Sequence, residues 1–156
     1  MIKKLIGLIA VVFLMSGCGG FNPGDFKVSQ VSDYDFTLDG RQATSILFTA
    51  DKDNYFDVAI KRSSIYSGSS VAFRKGSVIK NINATASIDG SSYAIYTNKE
   101  NGTFIKIVFE SINEDKNEAK IIVSMKLYSS DKDKYFEINE FSYKISGQAF
   151  KNLMIK

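Results

Sequence analysis

From Asp25 to the carboxyl end, apolar and polar residues alternate with period two, and turn residues interrupt the alternation at short intervals. Such a pattern predicts antiparallel strands with one face buried. Phe26/Val28, Tyr34/Phe36/Leu38, Ile46/Phe48 and Phe56/Val58/Ile60 each occupy alternate positions, and Asp39-Gly40 follows the second set as a hairpin turn. Asp89-Gly90 and Asn101-Gly102 are two further turn signals. The clearest strand follows Glu114-Asp115-Lys116-Asn117. There Ala119, Ile121, Val123, Met125 and Leu127 share one face, and Lys120, Ser124 and Lys126 share the other. We expect about eight to ten strands in an all-β domain, an antiparallel β-sandwich or a small barrel. The pattern does not choose between the two.

No stretch of this region carries a sustained apolar stripe at helical spacing. Ile, Val, Phe, Tyr, Thr and Ser dominate over Ala and Leu, which lowers helix propensity further. Residues 62–70 leave room for a short helix, but the pattern does not require one.

The first residues read differently. Met1-Ile2-Lys3-Lys4 is a short basic start, and residues 5–15 form an apolar run of about eleven residues, well below the roughly 20 that a membrane-spanning helix needs. Length and flanks are those of an export signal. The run ends in Met15-Ser16-Gly17-Cys18, which resembles the lipobox of bacterial lipoproteins: an aliphatic residue, two small residues, then Cys. Met15 stands where Leu is most usual. The resemblance implies cleavage between Gly17 and Cys18 and attachment of diacylglycerol to the Cys18 thiol. It further implies a signal peptide over 1–17, a lipidated Cys with a short tether over 18–24, and a β-rich domain over 25–156. Two or three acyl chains on one Cys hold a protein stably on a membrane, whereas one chain does so only marginally. Gly19, rather than Asp, follows the Cys. By the sorting rule common in Gram-negative lipoproteins, that points to the outer membrane.

The leader also changes the charge. Removing Lys3 and Lys4 lowers 20 basic residues to 18 against 17 acidic ones, so the net charge falls from +3 to +1. A balanced domain without a basic stripe gives no reason to expect nucleic acid. The chain has no His, and Cys18 is its only Cys. Imidazole acid–base chemistry, His-dependent triads, internal disulfides and thiolate zinc sites are therefore excluded within the chain.

One pattern exceeds composition. Asp51-Lys52-Asp53-Asn54-Tyr55-Phe56-Asp57-Val58 recurs 80 residues later as Asp131-Lys132-Asp133-Lys134-Tyr135-Phe136-Glu137-Ile138. Leu47-Phe48 and Leu127-Tyr128 precede the two copies. Ser67-Gly68 with Ala72-Phe73-Arg74, and Ser146-Gly147 with Ala149-Phe150-Lys151, follow them. Two readings stand: similar hairpins drawn from one composition, or a duplication giving two related β-units. Asp51, Asp53, Asp131 and Asp133 are the only metal candidates, as oxygen ligands for calcium. Each tip offers two carboxylates around a Lys and lacks the Gly and terminal Glu of an EF-hand, so solvated hairpin tips are the better expectation.

No phosphate-binding glycine loop or nucleophile elbow is present: Ser67-Gly68-Ser69-Ser70 lacks the flanking spacing. No catalytic residue and no cofactor is implied. The leading expectation is a non-catalytic envelope lipoprotein, anchored through Cys18, whose β-domain binds a protein partner or supports an assembly. The alternatives are a lipid or small-hydrophobe carrier of calycin-like type and a carboxylate-dependent enzyme with two acids converging in a cleft. A fainter resemblance links Gly40-Arg41, the loop before Tyr55-Phe56 and Val71-Ala72-Phe73-Arg74 to the type VI secretion outer-membrane lipoprotein, a small transthyretin-like sandwich. It covers about a quarter of the chain, which runs longer at its carboxyl end than that family.

Overall fold

A computed structural model describes residues 21–74, 79–96 and 102–155. Nine strands are described: β1 (Lys27–Asp33), β2 (Ala43–Thr49), β3 (Tyr55–Lys61), β4 (Ser70–Phe73), β5 (Ile82–Ile88), β6 (Ser91–Ala94), β7 (Phe104–Asn113), β8 (Glu118–Ser129) and β9 (Lys134–Ser146). Every pairing between them is antiparallel. This is the all-β class that the alternation predicts.

The strands form one open sheet in the order β1-β2-β3-β5-β6-β8-β7-β4, with β9 on the other side of β8. A single pair, Ala94 opposite Tyr128, joins β6 to β8. At that narrow link the sheet folds, and the leaf β1-β2-β3-β5-β6 packs face to face on the leaf β9-β8-β7-β4. Aromatic rings fill the space between. Phe48 stacks on Phe56 at 4.2 Å and meets Tyr143 of the other leaf at 4.8 Å; Phe26 lies 5.2 Å from Phe56 and 5.9 Å from Phe136.

In β8 the expected faces hold: Ala119, Ile121, Val123, Met125 and Leu127 are all buried. Asp39-Gly40 and Asp89-Gly90 make the expected two-residue turns. All four residues have positive φ, which suits the twist of a tight hairpin and favours Gly at the second position. Of the third signal, Asn101 lies outside the described residues.

Two expectations are corrected. Tyr34, Phe36 and Leu38 do not form a strand. β1 ends at Asp33, and beyond it the hairpin is continued by the Tyr34 N–H bond to the Ala43 carbonyl (3.0 Å) and the isolated bridge between Leu38 and Arg41. Leu38 and Tyr34 pack on a small satellite cluster with Ala43 and Ala59, while Phe36, 5.7 Å from the Tyr34 ring, stays exposed. The second correction is α1 (Gly147–Leu153), a helix the pattern does not announce. Its buried apolar residues are only Phe150 and Leu153, with Ala149 half-buried beside them, and seven residues are too few to register as a period.

Packed structure also begins earlier than residue 25. Residues Pro23–Asp25 form a 3-10 turn closed by a capping box: the Gly24 N–H donates to Asn22 Oδ1 (3.0 Å) and the Asn22 N–H to Asp25 Oδ2 (3.1 Å). Tyr143 Oη donates to the Pro23 carbonyl (3.0 Å), and Phe21 packs against the core 6.1 Å from Phe26. This segment lies across β9, and α1 lies against β1, where the Asn152 amide donates to the Val31 carbonyl (2.8 Å). Together they cover the seam where β1 meets β9.

The repeated octapeptides occupy corresponding places. The two copies form the tips of the β2–β3 and β8–β9 hairpins, and Phe56 and Phe136 face each other across the interior at 6.2 Å. The first loop is one residue longer, so Phe56 pairs with Phe48 but Phe136 pairs with Leu127. Downstream, Gly68 and Gly147 both take positive φ, and then the likeness ends: Ala72-Phe73 is strand and Ala149-Phe150 is helix.

Candidate functional site

Cys18, Gly17 and Gly19 lie outside the described residues, so the expected lipidation and cleavage positions enter only through the sequence. The four acidic candidates fall on two separate hairpin tips. Asp51 serves its own turn: its Oδ1 accepts from the Asp53 N–H and from Asn54 Nδ2, each at 2.9 Å. These bonds, led by Asn54, hold its carboxyl below the usual range. Asn54 in turn accepts from the Asp89 N–H at 2.9 Å, tying this tip to the β5–β6 turn. Asp133 accepts from Tyr128 Oη at 2.5 Å, Asp53 lies 3.8 Å from Lys52, and Asp131 accepts from the Ser130 hydroxyl at 3.4 Å. Among the described residues, no three His, Cys, Asp or Glu side chains gather as a metal set.

Several clefts mark the surface, and core side chains reach the walls of two of them, Ala119 and Tyr143 in one and Phe73 and Ile105 in another. One of about 440 Å³ is bordered by Lys116, Lys120 and Lys144 and contains a single carboxylate, Glu118, which pairs with Lys144 at 2.5 Å. Burial raises the Asp57 carboxyl above its ordinary value, with a counteracting hydrogen bond from Ser45. On β3, Asp57 stands opposite Leu47 and Thr85, on the face turned away from the core.

The most distinctive surface lies at one end of the domain, around Arg62 at the close of β3. Its guanidinium bonds to Asp33 at the end of β1 and to the Ile155 carbonyl just beyond α1. The Arg62 N–H donates to the Gln42 carbonyl at 3.1 Å. Arg62 therefore ties three segments distant in sequence to one place. Phe36, Tyr66 and Ile155 belong to those segments or their immediate neighbours and are 70, 62 and 56% exposed. Beside them, two clefts of about 280 and 320 Å³ share Met154 and Ile155 on their walls. Exposed large apolar side chains flanking such a junction are candidates for a contact surface. Positions 36, 66 and 155 are far apart in sequence, and the Arg62 bonds link the segments that carry them.

β4 supplies a second open feature. It is the last strand on its side, and no described strand pairs with its outer edge. A polar cleft bordered by Ser63, Tyr66, Ser70 and Asn81 runs beside it. At four residues, the strand is short enough to limit uncontrolled edge pairing.

Among the described residues, no helix is long and apolar enough to cross a membrane. Comparison with protein-family models, with curated proteins and with solved structures returns no match.

Proposed function

We propose that this chain is the precursor of an envelope lipoprotein, held on the membrane through lipid on Cys18, whose β-domain binds a protein partner without catalysing a reaction. The anchor rests on the sequence: the only Cys of the chain closes a short apolar run in a lipobox-like tetrapeptide. With Gly19 after the Cys, the outer membrane is the destination in a Gram-negative cell.

The partner surface rests on one observation: Arg62 ties Asp33 and Ile155 together, and the exposed Phe36, Tyr66 and Ile155 lie on or within four residues of those three positions. Partner binding also accounts for the interior better than a carrier does. A carrier needs an enclosed apolar cavity, and here stacked and edge-on aromatic rings occupy the space between the leaves. A photo-crosslinking residue placed at Phe36 or Tyr66 in cells tests the reading. A discrete crosslinked product from these positions, absent from a probe at Lys120 on the outer face of β8, is expected. Identical products from all three positions, or none from Phe36 and Tyr66, would overturn it.

A further inference from the structure

The amino-terminal segment and the Arg62 surface lie at opposite ends of β1. The segment closed by the Asn22–Asp25 capping box leads directly into Lys27, where β1 begins, whereas Asp33, which bonds Arg62, is where it finishes. A strand of this length separates the two ends by roughly 20 Å. At the first end, Phe21 is packed on the core, and Tyr143 holds Pro23 on β9. Only Gly19 and Gly20 separate Phe21 from Cys18 in the sequence. Three consecutive Cα–Cα steps reach at most about 11 Å.

From this we infer that the covered β1–β9 seam around Phe21 rests on the bilayer surface, with the Arg62 end directed away from it. The inference depends on lipidation of Cys18 as proposed above. The lipid surface is the occupant because the chain available between lipid and packed domain is too short to place any other face there. A long flexible tether would leave orientation free, since its ends wander with the square root of its length. Two residues before a capped, packed turn do not. The partner surface is then presented to the aqueous phase, where a second protein can reach it without crossing the anchor.

The test uses the acylated protein purified from membranes and reconstituted in vesicles of phosphatidylethanolamine and phosphatidylglycerol carrying a headgroup quencher. Because acylation consumes the only native thiol, a single introduced cysteine takes a fluorescent label cleanly. Labels at Lys27→Cys and Tyr66→Cys report the two ends. The Lys27 label is expected to be quenched several-fold more strongly. A flexible Gly/Ser spacer of about twelve residues, inserted between Gly20 and Phe21, reaches about 20 Å and should erase most of the difference. Equal quenching at both ends of the acylated protein, or a difference that survives the spacer, overturns the orientation while leaving the anchor intact. Intact mass measured on the same preparation separates the two failures. A Cys18 without acyl mass overturns the anchor itself and the orientation with it.

Discussion

Truncating Phe56 tests the face-to-face packing of the two leaves. The Phe56 ring is fully buried, stacked on Phe48 at 4.2 Å and within 6.2 Å of Phe26, Tyr143 and Phe136. Two of these contacts are to β9, in the other leaf. Phe56→Ala deletes the ring and leaves a cavity that neighbouring rings on both leaves cannot close together, so a loss of about 3–5 kcal/mol is expected. The aromatic pair energies are already contained in that figure and are not added to it. Against a typical domain stability of about 5–15 kcal/mol, the loss is large. For a domain of this size it corresponds to a fall in Tm of about 10–20 °C. Urea and thermal unfolding followed by circular dichroism would measure it, with Phe36→Ala as a control expected to stay within about 0.5 kcal/mol. The pair Phe56→Ala and Phe136→Ala should fall short of additivity by about 0.5–1.5 kcal/mol, because each removes the other's partner. A Phe56→Ala loss below about 1.5 kcal/mol, or strict additivity of the pair, would refute the proposed contact between the leaves.

Four further outcomes follow from single side chains. Asp57 has a raised folded-state pKa because burial penalises its charge, so its ionisation opposes folding: stability falls as pH rises from the unfolded pKa, near 3.8, through the folded value. Asp57→Asn should therefore stabilise the protein at neutral pH and lose that advantage in acid, as denaturation curves at several pH values would show. Asp51 has the opposite sign. Its lowered pKa contributes stability that is lost as pH falls through the folded value, so Asp51→Asn should cost stability at neutral pH and little in strong acid. Arg62→Met keeps much of the apolar stem but removes the guanidinium bonds to Asp33 and Ile155, at a cost of about 1–3 kcal/mol in unfolding experiments. Tyr143→Phe deletes the bond to the Pro23 carbonyl, costing about 1 kcal/mol, and should speed amide exchange in residues 22–26 selectively.

The parts of the fold legible in the sequence are those governed by local periodicity. β8 was readable because five inward residues alternate without interruption and its outer face is largely polar. The Asp-Gly turns were readable because positive φ demands particular residues. Elsewhere, alternation misled or fell short. Tyr34, Phe36 and Leu38 alternate like a strand, but only the Tyr34 bond to Ala43 and the Leu38–Arg41 bridge pair them, with no continuous ladder. In β1 a bulge between Val28 and Gln30 shifts the inward face, leaving Val28 half-buried and Val31 in the core. The site at Arg62 could not be read at all. Its meaning depends on Asp33, Gln42 and Ile155, which only tertiary folding brings to one guanidinium. The Asp51 and Asp131 tips were the reverse: conspicuous in sequence, and in the structure occupied with hairpin hydrogen bonds.

Lipid on Cys18 is the claim on which localisation, orientation and the presentation of the Arg62 surface all depend. Intact mass spectrometry of the membrane-extracted protein, with cells fed an alkyne fatty acid, measures it directly. The account predicts a chain that starts at Cys18, carries two or three acyl groups and is labelled, together with an unlabelled, uncleaved Cys18→Ser precursor. A Cys18→Ser variant that is still labelled and processed, or a native chain carrying a free Cys18 thiol, would contradict it.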